Sequence, residues 1–151
     1  MAYEGIILAD ELKIEEIFSI HYFEYMNNFS FEGETHDFWE FICVDKGEVN
    51  IQAGEKHLTL TKGNIAFHKP NQFHNVTTNG TSAPNLVVIS FRCTAPCMKH
   101  FEDRVLQMSE VDRTLIAKTL TRPSAVSLLR LITLTPRSSS WWRSLISAPS
   151  S

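Results

Sequence analysis

Gly47-Glu48-Val49-Asn50-Ile51-Gln52-Ala53-Gly54-Glu55-Lys56-His57-Leu58-Thr59-Leu60-Thr61-Lys62-Gly63-Asn64-Ile65-Ala66-Phe67 decides the fold. Val49 and Ile51 alternate with polar neighbours, and Leu58 and Leu60 do the same beyond Ala53-Gly54-Glu55-Lys56. Alternation at a period of two places one face of a strand on a core, and a Gly-containing turn between two such runs makes a hairpin. Thr61-Lys62-Gly63-Asn64 turns the chain again into Ile65-Ala66-Phe67.

The same rhythm continues on both sides. Upstream, residues 12–26 alternate for much of their length, with Leu12, Ile14, Phe18, Ile20 and Tyr22 on one parity and Ile17, His21 and Phe23 on the other. Aromatic and β-branched enrichment favours strand, with a helix over Leu12 to Phe18 as the alternative. Asn27-Asn28 and Gly33 mark turns. Residues 36–44 read as a strand that is apolar on both parities, as expected where both faces are covered. Downstream, Lys69-Pro70-Asn71 breaks a strand, because proline cannot sit inside a central ladder. His74 to Thr77 resumes, Asn79-Gly80 turns, and Leu86 to Phe91 is a buried strand. Short strands with turns every eight to twelve residues or so predict an all-β sandwich or barrel.

The pattern changes after Arg92. Pro96 suits a first helical turn, and Met98, Phe101, Val105 and Met108 have helical spacing. Ser109-Glu110-Val111-Asp112 offers a capping Ser with an acid three residues on. Two short helices are therefore expected after the barrel. Residues 122–151 hold nine Ser, three Pro and four Arg, with no acid and no Lys. This composition predicts an unstructured tail. The domains are expected at 1–93 for the barrel, 94–121 for the helical extension and 122–151 for the tail.

Size and charge narrow the function. A chain of 151 residues is one domain, with at most an appendage. The formal charge of −3 gives no general attraction to nucleic acid or anionic lipid. That figure conceals a division: residues 1–121 carry seventeen acids against ten bases, a net of −7, and the remainder carries +4. Cys43, Cys93 and Cys97 are an odd set and point to a reducing compartment, so a cytoplasmic location is expected. Cys93 and Cys97 read as reduced thiols near a strand-to-helix junction. The start, Met1-Ala2-Tyr3-Glu4, lacks the basic and apolar regions of a signal peptide, and no apolar run is long enough to span a membrane.

The chemistry lies in two segments, from Gly33 to Gly47 and from Gly63 to His74. Strand alternation places His36, Phe38 and Glu40 on one face, with Glu34 on the same parity at the rim. A buried carboxylate needs a cation, a donor or a ligand, so Glu40 requires a partner. His74 lies on a strand that can pair nearby. His36, Phe38, Glu40 and His74 are the candidate ligand-binding residues. His36, Glu40, His74 and Glu34 are a second, metal-holding reading, in which a first-row divalent ion is the cofactor. Trp39 and Phe41, on the opposite parity, are expected in packing. His68 is expected at the surface or behind the site. His21, His57 and His100 are read as structural or solvated.

These segments resemble the cupin superfamily. Gly33, His36, Glu40 and Gly47 match its first motif, although Glu34 stands where a first His is usual. Gly63, Pro70 and His74 match its second, without the usual Gly beyond the Pro. The wider run is similar to the N-terminal sensor domain of AraC-family transcription regulators. It is carried by Phe18-Ser19-Ile20-His21-Tyr22-Phe23-Glu24-Tyr25, His36-Asp37-Phe38-Trp39-Glu40-Phe41, Val44-Asp45-Lys46-Gly47-Glu48-Val49 and Phe67-His68-Lys69-Pro70-Asn71-Gln72-Phe73-His74. The likeness covers about residues 5–120.

The resemblance implies a cupin-type double-stranded β-helix, or jelly-roll barrel, that receives a small effector, often a sugar or other metabolite. It also implies helices that form a homodimer, and a separate DNA-reading domain with two helix-turn-helix units. It implies no catalysis, no membrane association, and no specific DNA binding by this chain alone. Nothing in 122–151 resembles a recognition helix, and its abrupt change of composition is what a shift of reading frame near residue 121 would produce. The alternatives are a small metal-dependent cupin enzyme, of isomerase or dioxygenase type, and a truncated chain that is inactive or poisons the dimers of an intact paralogue.

Overall fold

The computed structural model describes residues 12–121. The expected tail at 122–151, and with it the frameshift reading, lies outside the described residues, as does the N-terminal start.

Among the described residues, nine strands form two antiparallel sheets. They are β1 (Glu16–Glu24), β2 (Ser30–Glu34), β3 (Trp39–Lys46), β4 (Glu48–Ala53), β5 (Lys56–Thr61), β6 (Asn64–His68), β7 (His74–Thr77), β8 (Asn85–Arg92) and β9 (Val105–Gln107). One sheet runs β1-β8-β3-β6-β9 and the other β2-β7-β4-β5. This is the all-β double-stranded β-helix expected of a cupin. The 3-10 helix Pro96–Phe101 and α1 (Glu110–Thr121) follow β8.

Both faces of the larger sheet are apolar, for two separate reasons. Ile42 and Val44 of β3 point between the sheets, where they pack with Val49, Ile51, Leu60, Ala66, Val76 and Leu86. Trp39, Phe41 and Cys43 point outward, into a second core with Phe67, Ile89 and Phe91. Met98 and Phe101 of the 3-10 helix and Ile116 and Ala117 of α1 close that outer core. Each fully buried side chain of this kind contributes about 1.5–3 kcal/mol. The helical segments are therefore a lid on the outer face of the barrel sheet.

Three local features depart from the sequence reading. Val105 is not helical: the chain unwinds after Phe101, and β9 adds to the edge of the larger sheet, with Leu106 opposite Ile65. Strand β2 occupies a stretch read as turns. It is short and largely exposed, so it lacks the alternation that marks a buried strand. His36 and Phe38 precede β3 in a bend and do not lie on the strand.

Helix α1 starts with the capping box expected at Ser109 and Asp112. The Ser109 amide donates to Asp112 Oδ2 at 2.8 Å, and the Asp112 amide donates to Ser109 Oγ at 3.1 Å. Arg113, in its first turn, is buried and approaches Asp45 at 3.9 Å. Asp45 accepts a 2.8 Å hydrogen bond from Tyr22 Oη. Helix, β3 and β1 are thus tied through one buried polar chain.

Ser109→Ala is expected to lower stability by about 1 kcal/mol, through loss of the cap alone. Leu60→Ala, in the core between the sheets, should cost about 2–5 kcal/mol. Urea unfolding of the two variants measures both, and equal costs would contradict this account.

Candidate functional site

The space between the sheets is filled at one end and open at the other. The layer of Ile42, Val44, Leu60 and Leu86 closes the first. At the other end lies a cavity of about 620 Å³, a size that suits a small molecule.

Glu40 sits at the junction of the two. In register it lies between Ser90 of β8 and His68 of β6. Ser90 Oγ donates to Glu40 Oε2 at 2.7 Å, and Ser19 Oγ donates to Ser90 Oγ at 2.9 Å. His74, at the start of β7 in the facing sheet, brings Nε2 to 3.4 Å from Glu40 Oε1. His36 Nε2 lies 3.7 Å from Oε2. Glu34, directly opposite His74 in the β2–β7 ladder, lies 3.8 Å from the same His74 nitrogen. Gly33 makes this last placement possible. At φ +110°, a Cβ there would meet the Phe73 ring at 2.5 Å and the His74 carbonyl oxygen at 2.6 Å.

Backbone contacts fix both imidazoles. His36 Nδ1 donates to the Phe38 carbonyl at 2.9 Å, and His74 Nδ1 donates to the Gln72 carbonyl at 3.0 Å. A carbonyl only accepts, so Nδ1 carries the proton and each Nε2 is left facing Glu40. The Asn71 amide donates to the His36 carbonyl at 2.7 Å and holds the bend. The Phe38 ring stacks on His36 at 3.9 Å and on Phe18 at 4.1 Å.

Burial pushes the Glu40 carboxyl up, but the contact with His74, the Ser90 hydroxyl and the charge of His74 outweigh it and hold it below the usual carboxylate value. Burial pushes His74 down, while Glu40, the Gln72 carbonyl and Glu34 raise it above the ordinary imidazole value. The two stabilise each other as an ion pair. His68 stacks flat on His74 at 4.4 Å and 13°. Burial, then the charge of His74, pushes it down to about 3, so it stays neutral. Tyr25 rises to about 12, through burial and then the Glu40 charge.

The expected residues therefore converge. His36, Phe38, Glu40, His74 and Glu34 all line the cavity, with Glu34 at its exposed rim. His68 takes the second of its two expected places, behind the site: it is buried, because its strand position points between the sheets beside Ala66. His21 differs from its reading, since it lines the cavity. Trp39 and Phe41 pack in the outer core as expected. The sequence reading missed Ser19 and Ser90, and the rings of Phe18, Phe23, Tyr25, Phe29 and Phe31. Ser90 was detectable as the one hydroxyl in the apolar run Leu86 to Phe91.

The sequence pattern of the AraC-like ligand binding domain matches residues 18–150. The chain belongs to this family. The AraC-like domain also resembles apo ToxT K231A from Vibrio cholerae, with a TM-score of 0.53 and 8% identity over 78% of this chain and 54% of that one. At that identity the likeness is one of fold. A weaker likeness is to the Cnp3 cupin domain of Schizosaccharomyces pombe, with a TM-score of 0.49 and 12% identity over 58% of this chain and 61% of that one. The chain thus spans just over half of the ToxT structure and about three fifths of the Cnp3 domain. No curated protein matches it.

The donor set of this AraC-like domain also fits a divalent ion. One ligand atom from each of Glu34, His36, Glu40 and His74 lies within 4.8 Å of the others. Both imidazoles hold Nδ1 on a carbonyl, the usual orientation for binding metal through Nε2. Among the described residues no helix is long and apolar enough to cross a membrane.

The titration of His68 gives a pH prediction. Its folded value of about 3 lies below the ordinary 6.5, so the unfolded chain takes the proton first. Stability is therefore lost as pH falls from about 6.5, with a slope approaching about 1.4 kcal/mol per pH unit. His74, shifted upward, acts in the opposite sense and loses its contribution as pH rises through its folded value. His68→Gln is expected to flatten the acid side of the stability curve in urea titrations between about pH 7 and about pH 5. An unchanged slope would assign the acid loss to other groups.

Proposed function

We propose that this chain is the effector-sensing and dimerisation domain of an AraC-type transcription regulator, and that it binds its ligand without turning it over. The observation that carries this reading is the cavity itself. It is open at one end of the barrel, walled by aromatic rings, and floored by a preorganised Glu40 whose partners come from both sheets. A cavity with apolar walls and a few fixed polar groups is built to hold and orient a small molecule.

The geometry suggests how occupancy would be reported. Among the described residues, strand β1 is an edge strand, paired only with β8. Ser19, His21 and Phe23 face the cavity, while Ile20 and Tyr22 pack on the outer core that α1 closes. A ligand pressing on the inner side of β1 therefore acts on the Tyr22–Asp45–Arg113 chain and on the seating of α1. Ligand binding would select among α1 arrangements according to its differential affinity for them. In this reading α1 also meets a second copy, and Val111 in its first turn is 67% exposed. DNA reading belongs to a separate domain. The described residues hold one α-helix, and a helix-turn-helix unit needs two.

The four-group cluster favours one second reading, a metal-dependent cupin. Glu34, His36, Glu40 and His74 would hold a first-row divalent ion, which would supply Lewis acidity to a bound oxygen or nitrogen ligand.

Two measurements separate the readings. A metabolite library screened by thermal shift should contain compounds that stabilise the wild type. At about 100 times Kd the gain is about 2.7 kcal/mol. Val88→Phe, which fills the cavity wall, should abolish it. A library with no compound that distinguishes the two proteins would overturn the sensing reading. Elemental analysis is expected to find less than one ion per chain after growth in supplemented medium. Stoichiometric metal that is lost in His74→Ala would favour the enzyme.

A further inference from the structure

The cavity has a chemical bias. Two carboxylates, Glu34 and Glu40, line it, and among the described residues no Lys or Arg does. His74 stands against both carboxylates, and one imidazole can neutralise at most one of them. His36 has its proton on Nδ1, where the Phe38 carbonyl holds it, and its buried Nε2 has no hydrogen-bond donor among the described residues. The hydroxyls of Ser19 and Ser90 are already directed along a chain that ends on Glu40. Apart from the Tyr25 hydroxyl and the His21 ring, the polar groups left over for a ligand are acceptors.

The walls point the same way. Phe18, Phe23, Tyr25, Phe29, Phe31 and Phe38 all line the cavity. Five of them are arranged in two files. Phe18, Phe38 and His36 stack at 4.1 and 3.9 Å. Phe23, Tyr25 and Phe29 stack at 5.2 and 3.8 Å. The face of an aromatic ring is electron-rich and attracts cations. One ring already does so here, since the Arg92 guanidinium lies 5.1 Å from the Phe18 centroid. An anionic ligand would meet two carboxylates and the negative faces of the rings. A neutral polyol would fill the acceptors but leave the excess negative charge uncompensated.

We propose that the occupant of this cavity is an organic cation, a protonated amine or guanidine carried on an apolar or aromatic body. This inference rests on the cavity being the ligand site. The charged head lies against Glu40, Glu34 and His36 Nε2, donating to all three, and the body lies between the two files of rings.

Isothermal titration of the EDTA-dialysed chain with 2-phenylethylamine, 2-phenylethanol, phenylacetate and D-glucose tests it. The amine is expected to bind about ten-fold or more tighter than each of the others, a difference of about 1.4 kcal/mol. Glu40→Gln should remove that preference. Glu34→Gln, at a half-exposed rim position, should weaken the amine about three-fold and the alcohol less. Equal or tighter binding of the alcohol, the acid or the sugar overturns the charge class. If that binding is lost in Val88→Phe, the cavity still stands as a ligand site. Absence of amine binding also overturns the proposal. If the library screen fails as well, the sensing reading falls with it.

Discussion

One largely buried carboxylate organises the open end of this barrel. Glu40 projects between the sheets, where an uncompensated charge would cost several kcal/mol. Its compensation comes from two directions. Ser90 reaches it along the β3–β8 ladder, and His74 reaches it from the opposite sheet. The two sheets are therefore joined by apolar packing at one end and by an ion pair at the other. Because both partners of that pair are anchored to backbone or to a hydroxyl chain, the open end keeps its shape without a hydrophobic plug. A barrel closed by packing at both ends would have no room for a ligand.

The alternation of Val49, Ile51, Leu58 and Leu60 made the fold class legible, and the apolar double parity of residues 36–44 marked a strand covered on both sides. The candidate residues were legible for a partly mistaken reason. His36 and Phe38 reach the site from a bend braced by Asn71 and by stacking, where the sequence suggested strand alternation. His68 was legible only as a choice between surface and a place behind the site, because one residue of strand extension decides whether its ring points outward or into the barrel. The aromatic walls were not legible. They come from β1, from the Phe29 turn and from a short exposed strand, and only the sheet pairing brings those segments together.

The helical residues after β8 are more than an appendage in structural terms. Ile116 and Ala117 share one core with Trp39, Phe41 and Phe91. The buried Arg113 and Asp45 add a polar contact that apolar packing alone would not position. The outer core is complete only with α1 seated, and the larger sheet owes its second covered face to it. Any change in how α1 sits therefore changes what the barrel sheet rests on.

Strand β1 carries a register shift between Ile17 and Ser19, with Phe18 as the extra residue. Ile17 and Ile20 both pack on the outer core, while Phe18 and Ser19 both look into the cavity. The bulge acts as a phase reset in a two-beat sequence. It lets a ring and a hydroxyl stand side by side on one wall, which an unbroken strand forbids. The count of residues in β1, and not only their identity, thereby sets the composition of the wall: a strand without the extra residue would present a different surface.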